Sequence, residues 1–246
     1  ATGPTDVVLR YDSGPDRVVD GRAGEWFQPG PEFTLYGDGT VISRSDHAQP
    51  PAVEGPIIRA SPFMIGRLDE DRVQSLLRFA IGEGGLGTAC ERYEERGLVP
   101  FGFEVFTVGA GGLDKRVDVF DPSPLDVLAN RLHNFDAGGI PAQIWVPDRY
   151  WGNLREAGFY FESGLLPDPQ DASIVPWPWP DSAPEEFVIR ATPDWGDSRR
   201  VMSADEAAVL GLSDNGGVVQ RIYLRGPDGE TIYYFSLWPM LPDETS

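Results

Sequence analysis

Three pairs of β-rich runs, each joined by a short turn that contains glycine, constrain the fold of this chain most strongly. In chain order the pairs are 32–36 with 40–43 around Gly37-Asp38-Gly39, 103–108 with 116–120 around "GAGGLD", and 218–225 with 230–238 around "GPDG". Glycine supplies the positive φ that tight hairpin turns need, and aspartate tolerates it. A phosphate-binding loop would instead lead into a helix, which no pattern directly after Gly39 indicates. The pairs therefore predict antiparallel β-hairpins.

Two further stretches have the spacing of amphipathic helices. One begins at Asp69 with acids in its first turn, and the other begins with Ser123 as N-cap and Pro124 at the first helical position. Their apolar stripes are, respectively, Val73, Leu76, Leu77 and Ala80, and Leu125, Leu128, Leu132 and Phe135. A shorter helix is predicted over 203–210. With 29 glycines and 23 prolines, the chain is predicted to adopt a loop-rich α+β fold of antiparallel β-hairpins and sheets with two main helices.

A proline-rich segment predicts where the chain divides. Residues 166–184 hold six prolines, and the run "PWPWP" within them favours an extended, polyproline-like strap. We therefore predict an N-terminal α+β domain over 1–165, a Pro/Trp-rich strap over 166–184, and a smaller, β-rich C-terminal segment over 185–246. The last segment is either separate or packed on the first domain as one unit.

Two stretches of the first domain are harder to assign. Pro62 interrupts a strand predicted over 57–68, which indicates an edge position or a bulge. The aromatic run "RYWGNLREAGFYF", 149–161, is predicted to be a short helix or a loop.

The charge of the chain limits its partners. Thirty-nine acids against 20 bases leave a net charge of −19, which repels nucleic acid and favours a cation or a basic partner. No apolar run is long enough to predict a transmembrane segment. The small, polar start, Ala1-Thr2-Gly3-Pro4-Thr5, is that expected of a mature end left after removal of a signal peptide, and a trimmed chain would look the same. We therefore expect an extracytoplasmic location, secreted or anchored by a lipid upstream of residue 1.

Metal and nucleophilic chemistry have little support in the sequence. His47 and His133 are the only histidines and Cys90 the only cysteine, which argues against a zinc site, an intrachain disulfide and a catalytic triad. The paired carboxylates of a glycoside hydrolase cannot be picked out among so many acids. Loops that contain Asp168, Asp171 and Asp214 offer oxygen ligands for calcium, although such residues often only close turns. We predict no catalytic residues and no cofactor, with bound calcium as the alternative.

Aromatic residues form the most informative candidate surface. Tryptophan and tyrosine at a surface can anchor a protein interface or stack on sugar rings. The candidates are Trp145, Tyr150, Trp151, Trp177 and Trp179. The alternative is structural, with the strap packing its two tryptophans onto the first domain.

Several segments in their order along the chain resemble an uncharacterised family of secreted or lipobox-anchored proteins from high-GC Gram-positive and related bacteria. These are "DVVLRY", "PEFTLYGDGTVI", "LDEDRVQSLLRFAIGEGGL", "FTVGAGG" with "RVDVF", and "DGETIYYFSLWPMLPDE". The resemblance implies export and a role at the cell surface. The resemblance implies neither an enzymatic activity nor any catalytic residues.

Together these patterns favour a non-enzymatic, extracytoplasmic protein that binds another protein chain as a subunit or accessory of a cell-surface assembly. Two alternatives stay open. One is a hydrolase or binder of cell-wall or extracellular glycan, and the other is a calcium-stabilised surface module.

Overall fold

The structure, a computed structural model, describes residues 3–14, 30–44, 57–93, 103–120, 124–135, 142–157, 174–190, 197–211 and 218–244. Contacts divide these residues into two units. Within described segments, the chain passes from one unit to the other between Pro62 and Phe63 and between Trp145 and Val146. The first unit holds 3–14, 30–44 and the described part of 63–145, and the second holds 57–62 and the described residues from 146 onward. The described part of the strap, 174–184, belongs to the second unit.

Both units are built around mostly antiparallel sheets, which confirms a mixed α+β fold. In chain order the strands are β1 (Val7–Gly14), β2 (Phe33–Tyr36), β3 (Thr40–Arg44), β4 (Ile58–Arg59), β5 (Phe63–Arg67), β6 (Arg92–Tyr93), β7 (Phe103–Ala110), β8 (Leu113–Phe120), β9 (Gln143–Ile144), β10 (Arg149–Glu156), β11 (Ile174–Pro176), β12 (Val188–Arg190), β13 (Asp197–Ser203), β14 (Val219–Arg225) and β15 (Ile232–Pro239). The helices are α1 (Glu70–Ile81), α2 (Asp126–His133) and α3 (Ala204–Ala208), and Pro184–Glu186 forms a 3₁₀ turn. Among the described residues, no helix is long and apolar enough to cross a membrane.

The first unit contains an eight-stranded sheet in the order β6-β8-β7-β1-β2-β3-β5-β9. Its core joins inward-facing strand residues such as Leu9, Phe33 and Phe106 to the apolar stripes of α1 and α2. The stripe predicted for α1 is confirmed, since Leu76, Leu77 and Ala80 are buried. Helix α2 begins later than predicted, with Leu125 as N-cap, so Pro124 lies before the helix; Ser123 lies outside the described residues.

The second unit contains a seven-stranded sheet in which β11, β14, β15, β10, β13 and β12 are neighbours and β4 also pairs with β14. All these pairs are antiparallel except β11 with β14. Its core is rich in aromatic residues, among them Tyr150, Trp179, Phe187 and Phe235.

The three predicted hairpins are confirmed as β2–β3, β7–β8 and β14–β15. In the first, Gly39 has a φ of 86°, and a Cβ there would lie 2.5 Å from the carbonyl oxygen of Leu68. Gly37-Asp38-Gly39 is therefore the bend between two strands, and only glycine fits at its last position without strain.

Two predictions are corrected by the strands. The run 149–161 is neither helix nor loop over its described part, because 149–156 forms β10 in the middle of the second sheet. The run 57–68 is two strands on either side of Pro62, and these belong to different sheets: β4 pairs with β14, and β5 pairs with β3. Proline lacks the N–H that a continuous ladder would need, so it marks the point at which the chain changes sheet.

Candidate functional site

The described part of the strap, 174–184, packs on the core face of the second sheet. Its β11 segment pairs with β14, and its two tryptophans then turn onto Phe187, Tyr233 and Phe235. The ring centroids of Trp179 and Phe235 lie 5.0 Å apart, and those of Trp177 and Tyr233 lie 5.9 Å apart. Both tryptophans belong to the core of the second unit, which also contains Ile57 and Tyr150 from the predicted N-terminal domain.

Both indole N–H groups of the strap are hydrogen-bonded. The Trp177 Nε1 donates to the carbonyl oxygens of Trp179 and Ser182, each at 2.8 Å, so it folds the strap on itself. The Trp179 Nε1 donates to the carbonyl oxygen of Glu206 at 2.9 Å and so reaches helix α3. Trp179 is buried, whereas Trp177 is only partly buried.

An arginine of β13 contacts carboxylates from two other elements of the same unit. The Arg200 Nε lies 3.6 Å from the Glu186 Oε2 in the 3₁₀ turn, and the Arg200 Nη2 contacts the Glu206 Oε1 in α3. The guanidinium lies 5.8 Å from the centre of the Phe187 ring. This grouping ties together the end of the strap, β13 and α3.

Glu206 also begins its own helix. Its Oε2 accepts hydrogen bonds from the Ser203 backbone N–H at 2.8 Å and from the Ser203 hydroxyl at 3.1 Å, which is a capping box. Burial alone would raise the pKa of Glu206, but these hydrogen bonds and the Arg200 guanidinium outweigh it and lower the pKa below its usual value. The carboxylate is therefore ionised at neutral pH.

Three carboxylates lie around the exposed end of the aromatic core. Burial first, and then the charges of Glu156, Asp228 and Glu185, raise the pKa of Tyr233. Glu156 is the cross-strand neighbour of Tyr233, Asp228 lies in the β14–β15 turn, and Glu185 lies in the 3₁₀ turn. We call Glu156, Glu185 and Asp228 the acidic rim. All three are exposed, and the rings of Trp177 and Tyr233 pack together beside them.

Among the described residues of the second unit, most acids are exposed and most arginines are buried or partly buried. Its exposed acids among the described residues are Asp148, Glu156, Asp181, Glu185, Glu186, Asp205, Asp228 and Glu230. Of its described arginine side chains, only Arg149 and Arg225 are exposed, while Arg59, Arg155, Arg199, Arg200 and Arg221 are buried or partly buried. The described surface of the first unit is more balanced, with six exposed arginines against eight exposed acids. Among the described residues, the second unit therefore has the larger excess of exposed acids over exposed arginines.

The five aromatic residues predicted to form a surface are all buried or partly buried in the structure. Trp145, in the first unit, is partly buried, with its ring centroid 6.4 Å from that of Phe63. Tyr150 is buried in the second core, and this burial raises its pKa. Trp151 points to the opposite face of β10, where it is 6% exposed and its Nε1 donates to the Glu244 Oε2 at 3.0 Å. Of the candidates in the second unit, Trp177 is the one whose side chain is partly exposed and lies beside the acidic rim.

The predicted calcium ligands Asp168, Asp171 and Asp214 lie outside the described residues. Within the described part of the chain, no group of three His, Cys, Asp or Glu side chains could hold a metal ion. A pocket in the first unit, between β3, β5 and Phe135, has a volume of ≈ 10 Å³. This is room for about one water molecule, not for an organic ligand.

Sequence analysis missed a polar cluster in the first unit. The Glu32 carboxylate is almost wholly buried and accepts from the Ser13 hydroxyl at 3.4 Å, with the His133 Nδ1 at 3.6 Å and the Arg44 Nε at 3.9 Å. The Tyr11 hydroxyl, whose pKa is raised by burial and then by the charge of Glu104, donates to Glu104 at 2.9 Å.

One sequence feature could have indicated this cluster, namely a polar residue at a position of a strand that faces the core. Ser13 faces inward like Tyr11 and lies directly opposite Glu104 in the β1–β7 ladder. The Glu32 side chain is only 8% exposed, so little of its carboxylate can be contacted by a ligand from solvent. We therefore interpret this cluster as a means of fixing the ends of the first hairpin.

Compared with known proteins, the chain matches no protein-family model, no curated protein and no solved structure.

Proposed function

We propose that this chain is a non-enzymatic, extracytoplasmic protein that binds another protein chain, as a subunit or accessory of a cell-surface assembly. The observation that carries the proposal is the separation of charge among the described residues of the second unit, where most acids are exposed and most arginines are buried or partly buried. An excess of one exposed charge attracts partners of the opposite charge and speeds their approach. The partner is therefore expected to present a basic surface.

The acidic rim and its aromatic neighbours support a place for this contact. Lysine and arginine side chains bind carboxylates through charge-assisted hydrogen bonds and also pack on aromatic rings. Trp177 and Tyr233 supply the rings, and Glu156, Glu185 and Asp228 supply the carboxylates. Aromatic residues at the centre of an interface commonly carry much of its affinity. A nucleic acid would be repelled by the same surface.

A defined basic probe tests the partner class. In one variant, Glu156→Gln, Glu185→Gln and Asp228→Asn neutralise the acidic rim; in the matched control, Asp148→Asn, Asp181→Asn and Asp205→Asn remove the same charge elsewhere on the unit. Titration with a synthetic deca-arginine peptide at low salt is expected to show affinity lower by roughly tenfold or more in the rim variant than in the control. Equal affinities in the two variants would show that only net charge attracts the probe and would remove the rim from the proposal.

A further inference from the structure

The strap contributes few backbone hydrogen bonds to its own attachment. Pro176, Pro178 and Pro180 have no N–H group to donate, and β11 pairs with β14 over only three residues, 174–176. Side-chain contacts therefore provide most of the strap's attachment, through the rings of Trp177 and Trp179 and their indole hydrogen bonds.

The 3₁₀ turn that follows the strap contacts Arg200. Glu186 uses one carboxylate oxygen to accept from the Ala183 N–H at 2.9 Å, which starts the 3₁₀ turn, and its other oxygen faces Arg200. Glu206 does the same for α3, and its carbonyl oxygen accepts the hydrogen bond from Trp179. One guanidinium thus bridges two capping carboxylates, one in the 3₁₀ turn and one in α3.

A buried aromatic surface lies under the strap. Phe187 is 3% exposed and Phe235 is 0% exposed, and both contact Trp179. If the strap lifted, these rings would face solvent together with Trp177 and Trp179. An exposed aromatic patch of this kind is characteristic of binding surfaces.

We propose that Arg200 is the clasp of a conformational switch. While its guanidinium contacts Glu186 and Glu206, the strap segment 174–184 stays packed over Phe187 and Phe235. When these two ion pairs break, the strap moves away and exposes this aromatic surface. Local opening in proteins involves elements with few backbone hydrogen bonds, and the strap is such an element. The two carboxylates keep partial contact with solvent, with side chains 46% and 30% exposed, so the clasp is accessible from outside. This inference concerns the chain alone and does not depend on the identity of a partner.

Hydrogen exchange in the full chain tests the clasp. Arg200→Met keeps an unbranched apolar stem beside Phe187 and removes both ion pairs, Arg200→Lys restores a charge without the planar fork, and Arg149→Met changes an exposed arginine of the same sheet. We expect exchange of amides in 174–187 to rise roughly tenfold in Arg200→Met, less in Arg200→Lys and not at all in Arg149→Met. The first-unit hairpin 103–120 should exchange as in the unaltered chain.

Two results would overturn the proposal. The first is that Arg200→Met leaves amide exchange over 174–187 unaltered. The second is that amide exchange rises equally over 103–120, which would mean global destabilisation. If Arg200→Met does not fold, the double variant Glu186→Gln/Glu206→Gln removes the carboxylate charges and leaves the guanidinium in place. It must show the same local rise, together with increased binding of a dye that reports exposed apolar surface.

Discussion

The indole Nε1 of Trp179 donates a hydrogen bond to the backbone carbonyl oxygen of Glu206 at 2.9 Å, and this contact attaches the strap to helix α3. A buried tryptophan needs a partner for its N–H group, and here the partner is a carbonyl in the same helix whose first turn is capped by the Glu206 carboxylate. Strap and helix are therefore coupled through one residue. The same residue reaches Arg200, which extends the coupling to β13 and to the 3₁₀ turn.

Replacing Trp179 by phenylalanine should destabilise the second unit. The substitution removes the hydrogen bond to Glu206 and part of a ring that packs on Phe235, so we expect a loss of about 1–3 kcal/mol in the free energy of unfolding. Urea titration measures it. Trp145→Phe in the first unit is the matched control, because the Trp145 ring is only partly buried, and its effect should be smaller. A loss no larger than that of the control would mean that the strap is not held by Trp179.

Gly152 in the middle of β10 should not tolerate a side chain. A Cβ at this position would lie 2.4 Å from the Met202 Sδ, 3.1 Å from Phe235 and 3.2 Å from Phe187. Overpacking of this kind costs about 1–3 kcal/mol, so Gly152→Ala should lower the midpoint of thermal unfolding. In a Met202→Ala background the same substitution should cost less, since the nearest atom is gone. Equal costs in both backgrounds would place the clash elsewhere.

Acid should weaken the N-terminal cap of α3. Because the folded pKa of Glu206 is lower than its usual value of 4.5, the carboxylate stabilises the fold at all higher pH, and this contribution is lost as the pH falls through the folded pKa. We expect Glu206→Gln to cost about 1 kcal/mol at about pH 7, and we expect this cost to shrink progressively as the pH falls below 4.5. Asp205→Asn, one residue away and not bound by Arg200, serves as control. A cost from Glu206→Gln that persists unchanged in acid would contradict this assignment.

The buried carboxylate of the first unit should matter for stability rather than for catalysis. Glu32→Gln keeps the shape of the side chain but removes the charge that faces His133 and Arg44, so we expect a loss of about 1–3 kcal/mol in chemical unfolding. Glu83→Gln, at an exposed position of the same unit, should change stability by less than about 0.5 kcal/mol. If both variants unfolded at the same denaturant concentration, the cluster would have no structural role.

The parts of the fold that sequence could predict are the local ones. Hairpin turns and the stripe of α1 depend on residues close in sequence, so the β2–β3 turn and the burial of Leu76 and Leu77 could be predicted. Strand β10 could not, because both of its faces are covered and its buried run, 150–154, does not alternate between polar and apolar residues.

The candidate site depends on partners that are distant in sequence. Trp177 was identified from composition, but nothing in the sequence indicates that Tyr233 packs on it or that Glu156 and Asp228 lie beside that ring. The Arg200 clasp likewise joins three elements by long-range contact. The capping box of α3 is the one part of it with a local signature, Ser203 followed three residues later by Glu206.

Binding of a basic protein chain to the acidic rim of the second unit is best tested on the intact complex. The most direct measurement is native mass spectrometry of the chain isolated from its own source in mild detergent, at low and at high salt, repeated with the rim variant and with its charge-matched control. We expect a complex with a second chain of net positive charge that high salt dissociates, that the rim variant loses and that the control retains. A chain that stays alone at low salt, or a complex equally intact in the rim variant, would contradict it.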